Sequence, residues 1–185
     1  MSASNTASAA SSPDGVAPAS KRKPWWVSAA PPRPPVKTIA IALFAAAVGL
    51  LVLAALTVGT GIPWLIPPMA ASMALVVGAP KLPLSQPRNV IGGQMVSAAV
   101  GAVVGLMGHS LWLGALAGAL ALAAMLLCRV PHSPAAATAV IGTMSATVPG
   151  WEFVLLAGAA ALVLVLAGVL GNRFNGARDY PIYVW

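Results

Sequence analysis

The chain has 185 residues, of which 59% are apolar and only 7% charged, with a mean hydropathy of +0.88. A soluble domain carries about a quarter charged residues, so this composition excludes a surface made for water and points to a polytopic integral membrane protein. The net charge of +7 is not gathered on one face; it is spread between apolar runs, which excludes a nucleic-acid interface and sets membrane orientation instead.

Residues 1–36 are rich in Ser, Ala and Pro, with basic Lys21, Arg22 and Lys23 and the prolines Pro31, Pro32, Pro34 and Pro35. Nothing here can bury a core, so a disordered basic tail is expected. Its composition also resembles an organelle transit peptide, and no apolar stretch precedes Ile39 that could serve as a secretory signal. Trp25 and Trp26, beside the basic cluster, suit a membrane interface. The length allows one transmembrane helical domain, 37–172, with no appended soluble module. A short polar tail, 173–185, follows it.

Within that domain six apolar segments run over 39–58, 63–79, 90–108, 111–130, 133–148 and 151–170. A full crossing takes about 20 apolar residues. The second and fifth segments fall short, and each carries proline. The expected architecture is therefore all-α, with six membrane-embedded helices, two of them short and proline-started. If all six cross with the N-terminus inside, then Lys81, Arg88, Arg129, Arg173 and Arg178 fall inside as well. The outer loops near Thr60, His109 and Gly150 then hold no Lys or Arg. The positive-inside rule favours that arrangement, with both termini cytoplasmic; a re-entrant fifth segment would put Arg173 and Arg178 outside. Gly101/Gly105 and Gly114/Gly118 have the GxxxG spacing that lets helices approach closely.

The two short segments match each other. Pro68-Met69-Ala70-Ala71-Ser72 and Pro134-Ala135-Ala136-Ala137-Thr138 each set a proline four residues before a hydroxyl. Each is second in a group of three, so a 3+3 inverted repeat is expected, the layout in which transporters build a midplane site from interrupted helices. Proline is at home in a first helical turn, and Ser133 is a suitable N-cap for the helix after it. A helix start offers unpaired N–H groups and the positive end of the dipole, which suits an anion. The alternative is that these prolines only begin short interfacial helices.

Three blocks resemble the HPP family of small integral membrane proteins, over roughly Ile62 to the C-terminus. They are Leu84-Ser85-Gln86-Pro87-Arg88-Asn89-Val90-Ile91-Gly92-Gly93, then His132-Ser133-Pro134-Ala135-Ala136-Ala137-Thr138, then Tyr180-Pro181-Ile182-Tyr183-Val184-Trp185. Two positions depart from the family pattern: Ser133 replaces the first proline of the His-Pro-Pro motif, and Gln94 stands where a histidine is usual. Glutamine cannot carry a proton, so a mechanism needing two titrating histidines does not transfer. The resemblance implies membrane transport, with nitrite associated with plastid and cyanobacterial members.

The expected function is a transporter or channel for a small anion, nitrite being the leading candidate. The expected substrate-binding residues are His132, Ser133, Pro134, Thr138, Pro68, Ser72, Arg88 and Asn89. His132 can hydrogen-bond or share a proton. Arg88 can hold an oxyanion through paired hydrogen bonds or anchor at headgroups. Asn89 can cap the third helix, and Ser72 and Thr138 can line a pore or back-bond to their own helices. Arg129 reads as an anchor, His109 as solvated, Glu152 with Trp151 as an outer-interface marker, and Cys128 as a small buried thiol. No cofactor, metal cluster or ATP-binding loop is expected, and transport would be passive or ride on protons. The rivals are a non-transporting assembly or sensor subunit and, more remotely, a membrane-embedded enzyme using Ser133 beside His132. The expected partners are the lipid bilayer and a second copy of the chain, since six short helices make a small body for a pore. A bacterial inner membrane is the expected location, with an organelle envelope as the alternative.

Overall fold

In the computed structural model, residues 26–27, 30–145, 150–177 and 179–184 are described. The chain divides at Arg33/Pro34. In the preceding unit Trp26 is exposed, and the expectations for Trp25 and residues 1–24 lie outside the described residues. From Pro34 on, the described residues hold six helices and no strand: α1 (Val36–Thr60), α2 (Pro67–Gly78), α3 (Pro87–Gly105), α4 (Leu111–Leu127), α5 (Ala135–Met144) and α6 (Gly150–Phe174), with a short 3-10 turn at Pro83–Ser85.

Local chemistry sets the ends. α1 follows Pro35 and stops at Gly61, whose φ of 70° is left-handed and whose N–H returns to the Thr57 carbonyl. α2 and α3 both open on proline, where a missing N–H costs nothing. α4 starts behind Ser110, whose hydroxyl accepts from the Leu113 N–H. It ends in a Schellman arrangement, with Arg129 N–H on the Leu126 carbonyl and Val130 N–H on that of Met125. The left-handed position in that motif usually belongs to glycine; here Arg129 fills it with φ 59°.

α1 and α6, each of 25 residues, are long and apolar enough to cross a membrane. The expectation of six such segments is met only in part. α2, α4 and α5 are shorter apolar helices. At about 1.5 Å per residue, α5 spans roughly 15 Å and α2 roughly 18 Å, against a hydrocarbon core of about 30 Å. α3 has 19 residues but carries Arg88, Asn89, Gln94 and Ser97.

The helices alternate in direction. Lys37 at the start of α1 and Phe174 at the end of α6 line one groove, and Asn175 donates to the Thr38 carbonyl. At the opposite end Gly61 and Ile62 share a cleft with Glu152. The end of α2 meets the end of α6, where Asn172 donates to the Val76 carbonyl. The start of α3 meets the end of α4, where Arg88 and Arg129 share a cleft with Tyr183 of the tail. Lys37, Arg88 and Arg129 therefore stand at one end of the bundle, and Glu152 at the other.

Neighbour relations repeat between the two halves. α1 packs on α2 and α6, as α4 packs on α5 and α3; α2 packs on α6, as α5 packs on α3. α3 meets α6 at the centre, and α2 touches α5. Small residues make the closest crossings. A Cβ on Gly101 would stand 2.5 Å from the Ala139 carbonyl oxygen of α5, and one on Gly168 would overlap the Val76 side chain of α2.

Burial is inverted relative to a soluble domain. Phe44, Trp112 and Leu127 are 72%, 87% and 84% exposed, while Ser72, Gln94, Ser97, His132, Thr138 and Thr143 are fully buried. An apolar exterior around polar groups that are, Ser97 Oγ and Asn172 Oδ1 apart, internally hydrogen-bonded suits a lipid solvent. Cys128, expected as a buried thiol, is exposed at the C-cap of α4, past the last helical turn.

Candidate functional site

Four buried polar side chains from α2, α3, α5 and the turn before α5 meet in the bundle interior. Gln94 of α3 donates from Nε2 to Ser72 Oγ at 2.9 Å, and its Oε1 accepts from Thr138 Oγ1 at 2.5 Å. Ser72 Oγ lies 2.8 Å from His132 Nε2 and 2.9 Å from the Pro68 carbonyl oxygen. His132 Nδ1 lies 2.7 Å from the Leu84 carbonyl oxygen.

That geometry assigns the protons of the neutral ring. A carbonyl only accepts, so Nδ1 carries the hydrogen and Nε2 is left to accept from Ser72. Ser72 has one hydroxyl proton and two acceptors for it, Nε2 and the Pro68 carbonyl. With the ring neutral it goes to Nε2; with Nε2 protonated the ring donates to Ser72, whose own proton turns to Pro68. The Ser72 hydroxyl can thus pair with the ring in either protonation state.

The glycine pair of the first sequence block makes room for the histidine. A Cβ on Gly93 would stand 2.6 Å from His132 Cβ, and one on Gly92 2.9 Å from Val130 Cγ1. The Val130–His132 segment therefore lies flat on α3, six residues or about 9 Å along the helix from its start. α5 begins inside the bundle rather than at its end.

The expected anion donors at the helix starts are already engaged. The N–H groups of Ala135, Ala136 and Ala137 bond the carbonyls of His132, Ser133 and Pro134, a tight 3-10-type turn, and Met69 N–H bonds Ile66. Ser133 makes no capping bond. Pro134 occupies the cap position with αR dihedrals, which leaves Ser133 exposed a residue too early. Any anion at this point would be held by side chains, not by free amides.

His132, Ser72, Thr138 and Pro68 are brought together; Ser133, Arg88 and Asn89 are not part of that cluster. Gln94 is its hub, overlooked as a site residue because glutamine cannot titrate. Its position directly after the glycine pair Gly92-Gly93 was the available signal. Asn89 does not cap α3; its amide donates to the Pro83 carbonyl at 2.8 Å and to Tyr183 Oη at 3.2 Å. His109 is exposed but not simply solvated, since its Nδ1 lies 2.7 Å from the Thr143 carbonyl oxygen.

Polar groups continue toward both ends. One turn beyond Gln94, Ser97 Oγ is buried without a hydrogen-bond partner. Further along, Thr143 Oγ1 donates to the Gly101 carbonyl at 3.1 Å, and its own carbonyl meets His109. In the other direction the 83–89 loop is held by the C-terminal tail. Tyr180 Oη donates to the Ser85 carbonyl at 2.9 Å, and Gln86 Oε1 accepts from Ile182 N–H at 2.8 Å. Tyr180 is buried, which pushes its phenol well above its ordinary pKa.

The model of the HPP transmembrane region matches residues 31–181. A transmembrane protein of Dictyostelium discoideum is 36% identical over 150 residues, covering 75% of this chain and 48% of the relative. A second from the same organism is 34% identical over 169 residues, covering 84% of this chain and 59% of the relative. The chain spans about half the length of the curated relatives it matches. No solved structure matches it.

Proposed function

The chain belongs to the HPP transmembrane family, and from that premise we propose that its helical core is a transporter or channel for a small anion, nitrite being the leading candidate. The observation that carries this reading is the fully buried Ser72–His132–Gln94–Thr138 cluster. In a membrane interior, polar side chains that face the bundle core mark a pathway. The file from Leu84 through His132, Ser72, Gln94, Thr138 and Ser97 to Thr143 and His109 gives such a pathway both directions. The Ser72 and Thr138 hydroxyls, the Gln94 amide and a protonated His132 are its donors. A proton taken up and released at His132 Nε2, with the Ser72 hydroxyl turning to Pro68 to accept it in a hydrogen bond, would let an anion move together with a proton. Pro68 and Pro134 shape the two short helices that bring these groups inside.

All six helices are membrane-embedded in this reading, and the two halves form an inverted repeat. The matched neighbour relations of α1–α3 and α4–α6 and the matched offsets of Ser72 and Thr138 support it. Gathering Lys37, Arg88 and Arg129 at one end supports that end as cytoplasmic, with both termini there. A cell inner membrane is the proposed location, and lipid-facing apolar residues leave surface for a second copy. A catalytic role is not proposed: His132 Nε2 faces Ser72, while Ser133, its neighbour in sequence, is exposed.

The test is nitrite uptake into proteoliposomes, with nitrate, formate and chloride as competitors. His132→Ala, checked for insertion and fold, is the control. Saturable uptake lost in that variant supports the pathway; uptake that survives moves the pathway elsewhere. No movement of any tested anion ends the transport reading in favour of a non-transporting subunit.

A further inference from the structure

A second polar feature lies outside the buried cluster. Arg88 at the start of α3 and Arg129 after α4 line a cleft of about 390 Å³, with Asn89, Pro131, Leu126 and Tyr183. No lining residue is acidic, and among the described residues neither guanidinium has a carboxylate or other hydrogen-bond partner. The tail delivers the Tyr183 hydroxyl to the same place, where it meets Asn89 at 3.2 Å. Leu126, on the rim, is 58% exposed.

We propose that the Arg88–Arg129 cleft is an oxyanion site that takes a phosphate group, carried either by an anionic lipid headgroup or by a free phosphate ion. Two forked guanidiniums can each make paired, charge-assisted bonds to phosphate oxygens, and the Tyr183 hydroxyl, whose proton reaches the Pro83 carbonyl only at 3.4 Å, can turn to add a neutral donor. The cleft is far roomier than a three-atom ion needs. Arg129 holds its side chain there from a left-handed backbone position that glycine fills in most Schellman motifs. A strained non-glycine residue at a site is a pointer to use of its side chain. The exposed Leu126 beside it suits an acyl chain when the phosphate belongs to a lipid. The site does not depend on the bundle conducting anything.

Purified protein in neutral detergent is titrated with inorganic phosphate by calorimetry. In parallel, retention of phosphatidylglycerol is read by native mass spectrometry against diacylglycerol. Arg88→Gln and Arg129→Gly are compared with the wild type. Arg129→Gly is the decisive variant, because glycine relieves the left-handed strain; it should melt no lower than the wild type, so lost binding cannot be blamed on misfolding. Saturable phosphate binding assigns the site to a soluble anion, and selective phosphatidylglycerol retention assigns it to a headgroup. Either supports the proposal if both variants weaken it by about tenfold, the loss expected from one charged contact. Binding of neither ligand by the wild type overturns it, as does equal retention of diacylglycerol or undiminished binding by the variants.

Discussion

Ser72 and Thr138 hold opposite ends of one carboxamide: Gln94 donates to the first and accepts from the second. Each hydroxyl stands four residues after a proline, on α2 and α5 respectively. The two short helices are therefore tied through a third, and the tie is directional. If it acts as a unit, Ser72→Ala and Thr138→Val cannot be additive. Removing either hydroxyl leaves part of Gln94 unpaired in a buried place, at about 1–3 kcal/mol. The double variant should lose less than the sum, by at least about 0.5 kcal/mol. A double-mutant cycle on reversible unfolding in detergent measures this, and additivity would mean the hydroxyls act separately.

Gly93 and His132 make a sharper prediction. An added methyl at Gly93 meets His132 Cβ at 2.6 Å and the Val130 carbonyl oxygen at 3.0 Å, and neither atom is the far end of a flexible side chain. Gly93→Ala should push the 130–132 segment off α3 and break the Ser72–His132 contact. Overpacking of this kind costs about 1–3 kcal/mol, and uptake should fall with it. Wild-type uptake and stability in Gly93→Ala would show that the segment is free to shift.

Much of the architecture was legible because its signals are local. Proline openings, the two undersized apolar runs and the cation placement all follow from short stretches of sequence. Those runs became α2 and α5, and the matched Pro–x3–hydroxyl spacing put Ser72 and Thr138 on a shared partner. That partner, Gln94, was not legible, since its role depends on how three separate helices converge. The helix-start amides were misjudged for a related reason. Whether an N–H is free depends on the dihedrals of Pro134, and a tight first turn uses the donors that the sequence pattern offered. Cys128 and Arg129 were read from their neighbours in the chain. The exposure of Cys128 and the cleft that Arg129 shares with Arg88 follow instead from the Schellman turn that ends α4.

The GxxxG pair on α3 is not two equivalent contacts. A Cβ at Gly101 would meet the Ala139 backbone at 2.5 Å, whereas one at Gly105 finds its nearest neighbour at 3.6 Å. Gly101→Ala should therefore separate α3 from α5 and destabilise by about 1–3 kcal/mol. Gly105→Ala should be neutral or stabilising by up to about 1 kcal/mol, through better helix propensity. Thermal unfolding of the two variants side by side checks this, and equal effects would mean the helices cross elsewhere.

The C-terminal tail should release at high pH. Tyr180 is buried and its hydroxyl donates to the Ser85 carbonyl, and desolvation raises its pKa well above the ordinary value of 10.0. A raised acid pKa means the neutral phenol is favoured by the docked state. The stability it contributes is complete below the unfolded-state pKa of about 10. Above it, the undocked tail can ionise while the docked one cannot, so docking weakens progressively as pH rises. In a Tyr183→Phe background Tyr180 is the sole tyrosine, and ultraviolet absorbance of tyrosinate then reports this group alone. Ionisation should be delayed beyond that of a free tyrosine and coincide with loss of the tail's protection from a carboxypeptidase. Tyr180→Phe should leave the tail insensitive to alkali but weaker by about 0.5–1.5 kcal/mol, the value of one lost hydrogen bond. Because Leu84, two residues before Gln86, holds His132 Nδ1, release of the tail should also loosen the buried cluster. Uptake should then decline over the same alkaline range in the wild type but not in Tyr180→Phe. Identical alkaline profiles for the two proteins would separate the tail from the cluster.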